Sequence, residues 1–253
     1  MVQARRVHSL GIDLAVGPKT TAMASIWWTP AGPTVDPPRV GCTDADLLAA
    51  LVSLAGADRA GVDVPFGWPV TFVEAVAAHR SGQRWPGRGQ GSAEHRAQLR
   101  LRVTDRQVAA VTGRQPLSVA FDKLGATAAR WAHLADELAA QGRPVDRAGR
   151  GPVVEVYPAA ARLVWGLGGL RSLPELVERA PWLRISPDVA ASYAGNEHAF
   201  DALIAALVAR AAQLQMTTTA QAAHLDIAQQ EGWIHLPLPG SLTRLADDSD
   251  RHS

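Results

Sequence analysis

A mainly apolar run over residues 7–15 stops at Val16-Gly17-Pro18 and reads as a buried strand closed by a turn. Residues 20–28 are rich in β-branched and aromatic side chains and predict a second strand that folds back on the first. A weaker third run, 34–40, carries Pro37 and Pro38, which confine it to a sheet edge because proline donates no ladder hydrogen bond. Thr43, with Asp46 three residues on, opens a helix whose apolar stripe is Leu47, Leu48, Leu51 and Leu54. The next apolar run, 59–64, closes at Pro65-Phe66-Gly67, and Pro69 stands where the first residue of a following helix belongs. Three strands, a helix and a strand imply a partly parallel sheet, since the helix is the crossover that parallel neighbours need.

The pattern changes between Gly82 and Gly151. Gly and Arg dominate 82–102, and helical periodicity returns at 105–111 and 126–140. Residues from about 70 to 150 therefore read as an Arg-rich, mainly helical insertion on a single α/β domain spanning 1–253. A further apolar run, 153–157, ends at Pro158. Helices are expected at 174–180, 197–214 and 219–230, with a last short strand at 232–235. The charged stretch from about 243 to 253 reads as a disordered tail.

A chain of 253 residues can bury roughly three quarters of its unfolded surface without staples. The lone Cys42 excludes an intrachain disulfide framework, reads as a small packed residue and suits a reducing compartment. Arg5 and Arg6 precede no apolar leader segment, and Asp201 and Arg210 interrupt the most apolar helix, so a cytoplasmic protein with no membrane span is expected. A formal net charge of +1 names no partner, so a nucleic-acid reading has to rest on local clusters.

Two local features carry chemistry. Ile12-Asp13-Leu14, Val62-Asp63-Val64 and Val154-Glu155-Val156 each set a carboxylate between apolar neighbours late in an apolar run. A carboxylate buried there must be paired, protonated or bound to a cation, and no Lys or Arg stands next to these acids to pair with them locally. Asp201, near the start of the helix capped by Asn196, adds a fourth acid, with His198 and Glu197 on the same helix face. Strands and a helix bringing carboxylates together suit Mg2+ or Mn2+, hard cations that activate water in phosphodiester cleavage. The second feature is the Arg cluster from Arg80 to Arg114, which includes Arg96, Arg100 and Arg102 and is interleaved with Trp85 and His95. Arginines among aromatics suit phosphate backbones and unstacked bases of RNA or DNA, although a solvated loop with ion pairs has the same composition.

Gly11-Ile12-Asp13, the run from Asp63 to Pro69, Arg102-Val103-Thr104-Asp105, Glu155-Val156-Tyr157-Pro158 and Asp201-Ala202-Leu203 together resemble the family catalogued as domain of unknown function 429. That family is described as predicted ribonuclease-H-like nucleases, and the likeness extends from about Gly11 to His235. The resemblance implies a five-stranded mixed sheet with its first strand central. It places Asp13 as the first-strand acid, Asp63 as the fourth-strand acid and Asp201 as the acid of the final helix. Glu155 falls on the fifth strand, where the better known ribonucleases H carry no essential acid. Their first-helix acid has no counterpart here, because Asp44 and Asp46 sit at the start of that helix.

The expected mechanism has Asp13 holding or bridging the metals, Asp63 and Asp201 completing their coordination, and Glu155 assisting as ligand or base. Arg102 foremost, with Asp105, Lys19, Arg96 and Arg100, is expected at the substrate, and His198 as an auxiliary group. Two other readings stay open. One is an actin- or sugar-kinase-like ATP phosphotransferase, with residues 16–20 as a phosphate hairpin and Gly166-Leu167-Gly168-Gly169 as a nucleotide loop. The other is a non-catalytic nucleic-acid-binding protein.

Overall fold

The computed structural model describes residues 6–168 and 171–247. In chain order the elements are β1 (Val7–Asp13), β2 (Ala22–Thr29), β3 (Gly32–Val35), β4 (Arg39–Val40), α1 (Asp44–Val52), β5 (Arg59–Asp63), α2 (Val70–Arg80), α3 (Ser92–Arg100), α4 (Val103–Thr112) and α5 (Gly125–Ala140). They continue with β6 (Val153–Glu155), α6 (Pro158–Val164), α7 (Leu173–Arg179), α8 (Pro187–Tyr193), α9 (Glu197–Gln213) and α10 (Leu225–Glu231).

The sheet is mixed and six-stranded among the described residues, in the order β3-β2-β1-β5-β6, with β4 also pairing with β2. β1 lies at its centre, antiparallel to β2 and parallel to β5, and β5 is parallel to β6. The sixth strand arises because the edge run expected at 34–40 is split by Asp36-Pro37-Pro38 into β3 and β4. The strand expected at 232–235 shrinks to one parallel bridge between Ile234 and Glu155.

Side chains alternate across the sheet into two cores. Leu10, Ile12, Ala60, Val62 and Val153 pack toward Leu47 and Leu51 of α1 and Trp131 and Leu134 of α5. Ala24, Ile26, Trp28 and Val154 pack toward α9. Every residue of α9 from Ala199 to Ala211 is buried, so this helix runs through the protein rather than over its surface. It lies directly on the central strands because two strand positions have no side chain. A Cβ on Gly11 would come within 1.9 Å of the Ala202 carbonyl oxygen, and one on Gly61 within 2.5 Å of the Ala205 carbonyl oxygen. No helix among the described residues is long and apolar enough to cross a membrane.

Several elements departed from the sequence pattern for physical reasons. α3 buries only His95 and Leu99 and so carries no apolar stripe. α6 and α8 span seven residues each, too few for a period to register, and both begin at a proline. The tail expected to be disordered from about 243 is ordered through 247: Leu242 and Leu245 enter the main core. Trp182 Nε1 donates to the Leu242 carbonyl and Arg210 Nε to the Leu245 carbonyl. Two apolar anchors in a polar stretch are too sparse to form a pattern. Residues 248–253 lie outside those described.

Gly11→Ala is expected to destabilise the protein at or beyond the upper end of the about 1–3 kcal/mol typical of overpacking, because the obstacle is helix backbone. Gly17→Ala, at an extended position where a Cβ meets nothing, should stay within about 0.5 kcal/mol. Denaturant midpoints of the two variants check both.

Candidate active site

β1 and β5 pair in parallel so that Asp13 lies beside Asp63 at the ends of adjacent strands. Each stands between two residues of the α1/α5 core, Ile12 and Leu14 for Asp13, Val62 and Val64 for Asp63. Both carboxylates therefore turn to the α9 side. Asp201 joins them from α9, one turn inside the Asn196 cap, whose side chain accepts from the Ala199 N–H at 2.9 Å. His198 Nδ1 lies 2.7 Å from Asp13 Oδ2. Arg171 donates from Nε and Nη2 to Asp201 Oδ2 at 2.8 and 2.6 Å, and from Nη1 to Glu197 at 3.0 Å. The second oxygen of Asp201 is buried without a hydrogen-bond partner.

Gathering like charges has an electrostatic cost. Burial raises the Asp13 carboxyl to about 6; the His198 hydrogen bond opposes the rise and Asp201 adds to it. Asp63 is raised well above the usual carboxylate range, by burial first and then by Asp13 and Asp201. Part of its surface still faces a cavity, so solvent reaches the carboxyl while protein encloses it at longer range.

Glu155 does not join this group. Its neighbours Val154 and Val156 belong to the α9-side core, so its side chain points to the other face of the sheet. There it meets Arg102, which is only 2 % exposed. Arg102 Nη1 and Nη2 donate to the two Glu155 oxygens at 3.0 and 2.7 Å, Nε and Nη2 donate to Asp105, and Nη1 also donates to the Glu231 carbonyl. All five guanidinium N–H groups are thereby used. Burial pushes the Glu155 carboxyl up and Arg102 pulls it back. The Phe66 N–H is a third donor on it, at 2.9 Å, and with donors alone around it we assign Glu155 as the ionised form.

The same cluster ties the insertion to the sheet. The Glu231 carboxylate accepts from the Val70 N–H that begins α2 and from the Val103 N–H that begins α4, satisfying two orphan helix donors at once. Gly232 crosses it at φ +88°, where a Cβ would sit 2.5 Å from Glu155 Oε2. Arg102, Asp105 and Glu155, expected at the substrate and the metals, thus form a buried, ion-paired knot, and all three also line the cavity that Asp13 and Asp63 face. Of the other cations expected at the substrate, Lys19, Arg96 and Arg100 are exposed, and none contacts the three aspartates; Arg100 pairs with Asp122 at 3.6 Å.

The basic groups that do surround the aspartates come from elsewhere. Arg171 sits in the loop after α6, Arg162 lies buried on α6 with Asp201 and Arg171 in its field, and Arg114 is near enough to act on Arg162 and Tyr157. No periodicity or motif marked Arg171 or Arg162; both are placed by the packing of α6 against α9. Glu231 lies inside the stretch over which the family likeness extends, but nothing local showed that it caps two helices.

The donor set fits a hard cation in kind, all carboxylate oxygen on rigid strand ends and a helix, with one Asp201 oxygen buried and unpartnered. It is not gathered at ligand spacing: among the described residues no three His, Cys, Asp or Glu side chains already surround one point.

Arg102→Met leaves Glu155 and Asp105 buried without their counter-charge and should cost about 3–5 kcal/mol by denaturant unfolding. Asp13→Asn should act in the opposite direction at neutral pH. The folded carboxyl titrates at about 6 and the unfolded one near 3.8, so wild-type stability is full below 3.8 and is lost as pH rises through 6. In chelator-treated buffer the variant should exceed wild type by roughly 1–3 kcal/mol at pH 7. That advantage should vanish near pH 4, as read by thermal unfolding.

No curated protein and no solved structure matches the chain. Residues 11–223 match the family described as Protein of unknown function (DUF429), and the chain belongs to that family.

Proposed function

We propose that this DUF429 member is a divalent-cation-dependent phosphodiesterase acting on nucleic acid, built on a ribonuclease-H-like sheet. The observation that carries the proposal is the parallel pairing of Asp13 with Asp63, facing Asp201 across the sheet–helix junction. Three carboxylates repel one another there with Arg171 on one oxygen of Asp201, and a bound cation is the simplest way to offset that repulsion. The sheet order supports the fold reading: a central first strand, antiparallel to the second and parallel to the two after α1, is the arrangement the family resemblance implies.

Asp13, Asp63 and Asp201 would hold Mg2+ or Mn2+, which when bound supplies an activated water and stabilises the leaving oxygen. His198, fixed by its Nδ1 contact to Asp13, keeps Nε2 for moving a proton at the edge of the site. Arg171 and Arg162 put positive charge beside the carboxylates, where a phosphate must approach. Arg80, Arg84, Arg88, Arg96, Arg100, Arg106 and Arg114 of the insertion are all exposed, a local basic field on a chain of nearly zero net charge. A phosphotransferase reading has less support, because Gly166 and Gly168 follow helix α6 and not a strand.

Purified protein with manganese should cleave at least one member of a labelled panel of RNA, DNA, hybrid and branched substrates. Asp63→Asn should reduce that cleavage to background while retaining the fold by circular dichroism. Manganese should also raise the thermal midpoint of wild type and not that of Asp63→Asn, since a ligand stabilises the folded state it binds. Cleavage of nothing on the panel, with no manganese-dependent midpoint shift, removes the proposal.

A further inference from the structure

Asp13 and Asp63 open onto a cavity of about 220 Å³ that runs to the loop between α4 and α5. Its walls are mainly apolar, among them Leu14, Val64, Leu117 and Leu124, and the ion-paired Arg102, Asp105 and Glu155 form a charged part of the same lining. An apolar cavity of about 150 Å³ admits benzene, so this one has room for a one- or two-ring group and none for a stacked duplex.

The outer wall is prebuilt. Ser118 is fully buried, and its hydroxyl donates to the Arg100 carbonyl at 2.7 Å while accepting from the Ala120 and Phe121 N–H groups at 3.1 Å. Its own N–H donates to Asp122 at 2.7 Å. This turn holds Leu117 in the wall with 55 % of its surface exposed, so the side chain contributes little to the core and is presented to the cavity. Two hydroxyls line the same space, on Thr127 and Tyr157, and neither is hydrogen-bonded to any described residue. A mainly apolar slot whose lining also includes Thr127, Tyr157 and the paired charges of Arg102, Asp105 and Glu155 suits a flat ring with polar edges better than an alkyl chain.

We propose that this cavity receives the base of one unstacked nucleotide whose phosphate lies over Asp13 and Asp63. The substrate is then a single-stranded end or loop, and an intact duplex is excluded unless a nucleotide leaves its stack. The inference deepens the phosphodiesterase reading and rests on it for the chemistry; base binding itself needs no turnover.

The test is calorimetric titration of the full chain, with manganese, by the four nucleoside 5′-monophosphates and by ribose 5-phosphate. At least one nucleotide is expected to bind tenfold or more tightly than the sugar phosphate. Leu117→Glu, a change at an exposed position that leaves the fold intact by circular dichroism, is expected to erase that ratio. Equal binding of nucleotide and sugar phosphate, no binding of either, or a ratio unchanged by Leu117→Glu overturns the inference. Strand cleavage is read separately. Base-selective binding without manganese-dependent cleavage keeps the pocket and removes the phosphodiesterase reading. Cleavage indifferent to an abasic scissile nucleotide, with unselective binding, does the reverse.

Discussion

The backbone of α9 rests on the backbone of β1 and β5, and the rest of the structure is arranged around that contact. It requires glycine at 11 and 61, because a Cβ at either would enter the helix carbonyls. It also requires small residues on the helix, and Ala199, Ala202, Ala205, Ala206 and Ala209 supply them. The approach fixes how far the first turns of α9 stand from the strand ends two residues beyond each glycine. Asp13 and Asp63 sit at those ends, and Asp201 on the facing helix. Wider packing would separate the carboxylates and weaken the mutual repulsion that raises Asp13 and Asp63. The geometry of the site therefore follows from missing side chains as much as from those present.

Glu155 shows how similar sequence contexts diverge. Like Asp13 and Asp63 it stands between apolar neighbours near a strand end, but β6 presents it to the opposite face. There Arg102 saturates it, and Asp105 and Glu231 complete a knot holding α2, α4, the segment after β5 and the turn after α10 together. The division is electrostatic. One face gathers three acids that only Arg171 and His198 directly offset, which leaves Asp13 and Asp63 raised. The other face pairs its acids fully, which secures geometry while the paired groups still form part of the cavity wall. Of the runs quoted for family likeness, 102–105 and 155–158 and the Phe66 N–H of 63–69 serve this second role, while Asp63 belongs to the first.

Much of the sheet was legible in the sequence, because strands buried on one or both faces have to be written in apolar runs bounded by Gly and Pro. β1, β2, β5 and β6, with α1, α5 and α9, follow from such runs. Asp13, Asp63 and Asp201 were legible as candidates because an acid inside an apolar run is costly enough to need an explanation. The face on which each acid emerges was not legible, since it depends on where a strand begins to pair, and a shift of one residue reverses it. The cations were not legible either. Arg102 stands beside Asp105 in the sequence and near no other partner, while Glu155 is 53 residues away; Arg171 is 30 residues from Asp201. Such pairs are created by packing and leave no local pattern.

The insertion reads differently once its anchors are known. Apart from Arg102 and Arg130, its arginines are on the outside, so they cost nothing in the core. Its inner side is held by Glu231 at two helix starts, by Ser118 on the Arg100 carbonyl and by Trp131 stacked on Phe66 at 4.6 Å. That rigidity carries Pro116, Leu117 and Leu124 to the cavity beside the acids. A loop of the same composition free in solvent would have to be ordered whenever a ligand arrived, at roughly 1–2 kcal/mol per backbone residue fixed. Here the folded chain has met that cost in advance. The insertion therefore acts as a wall of the cavity rather than as a flexible basic arm.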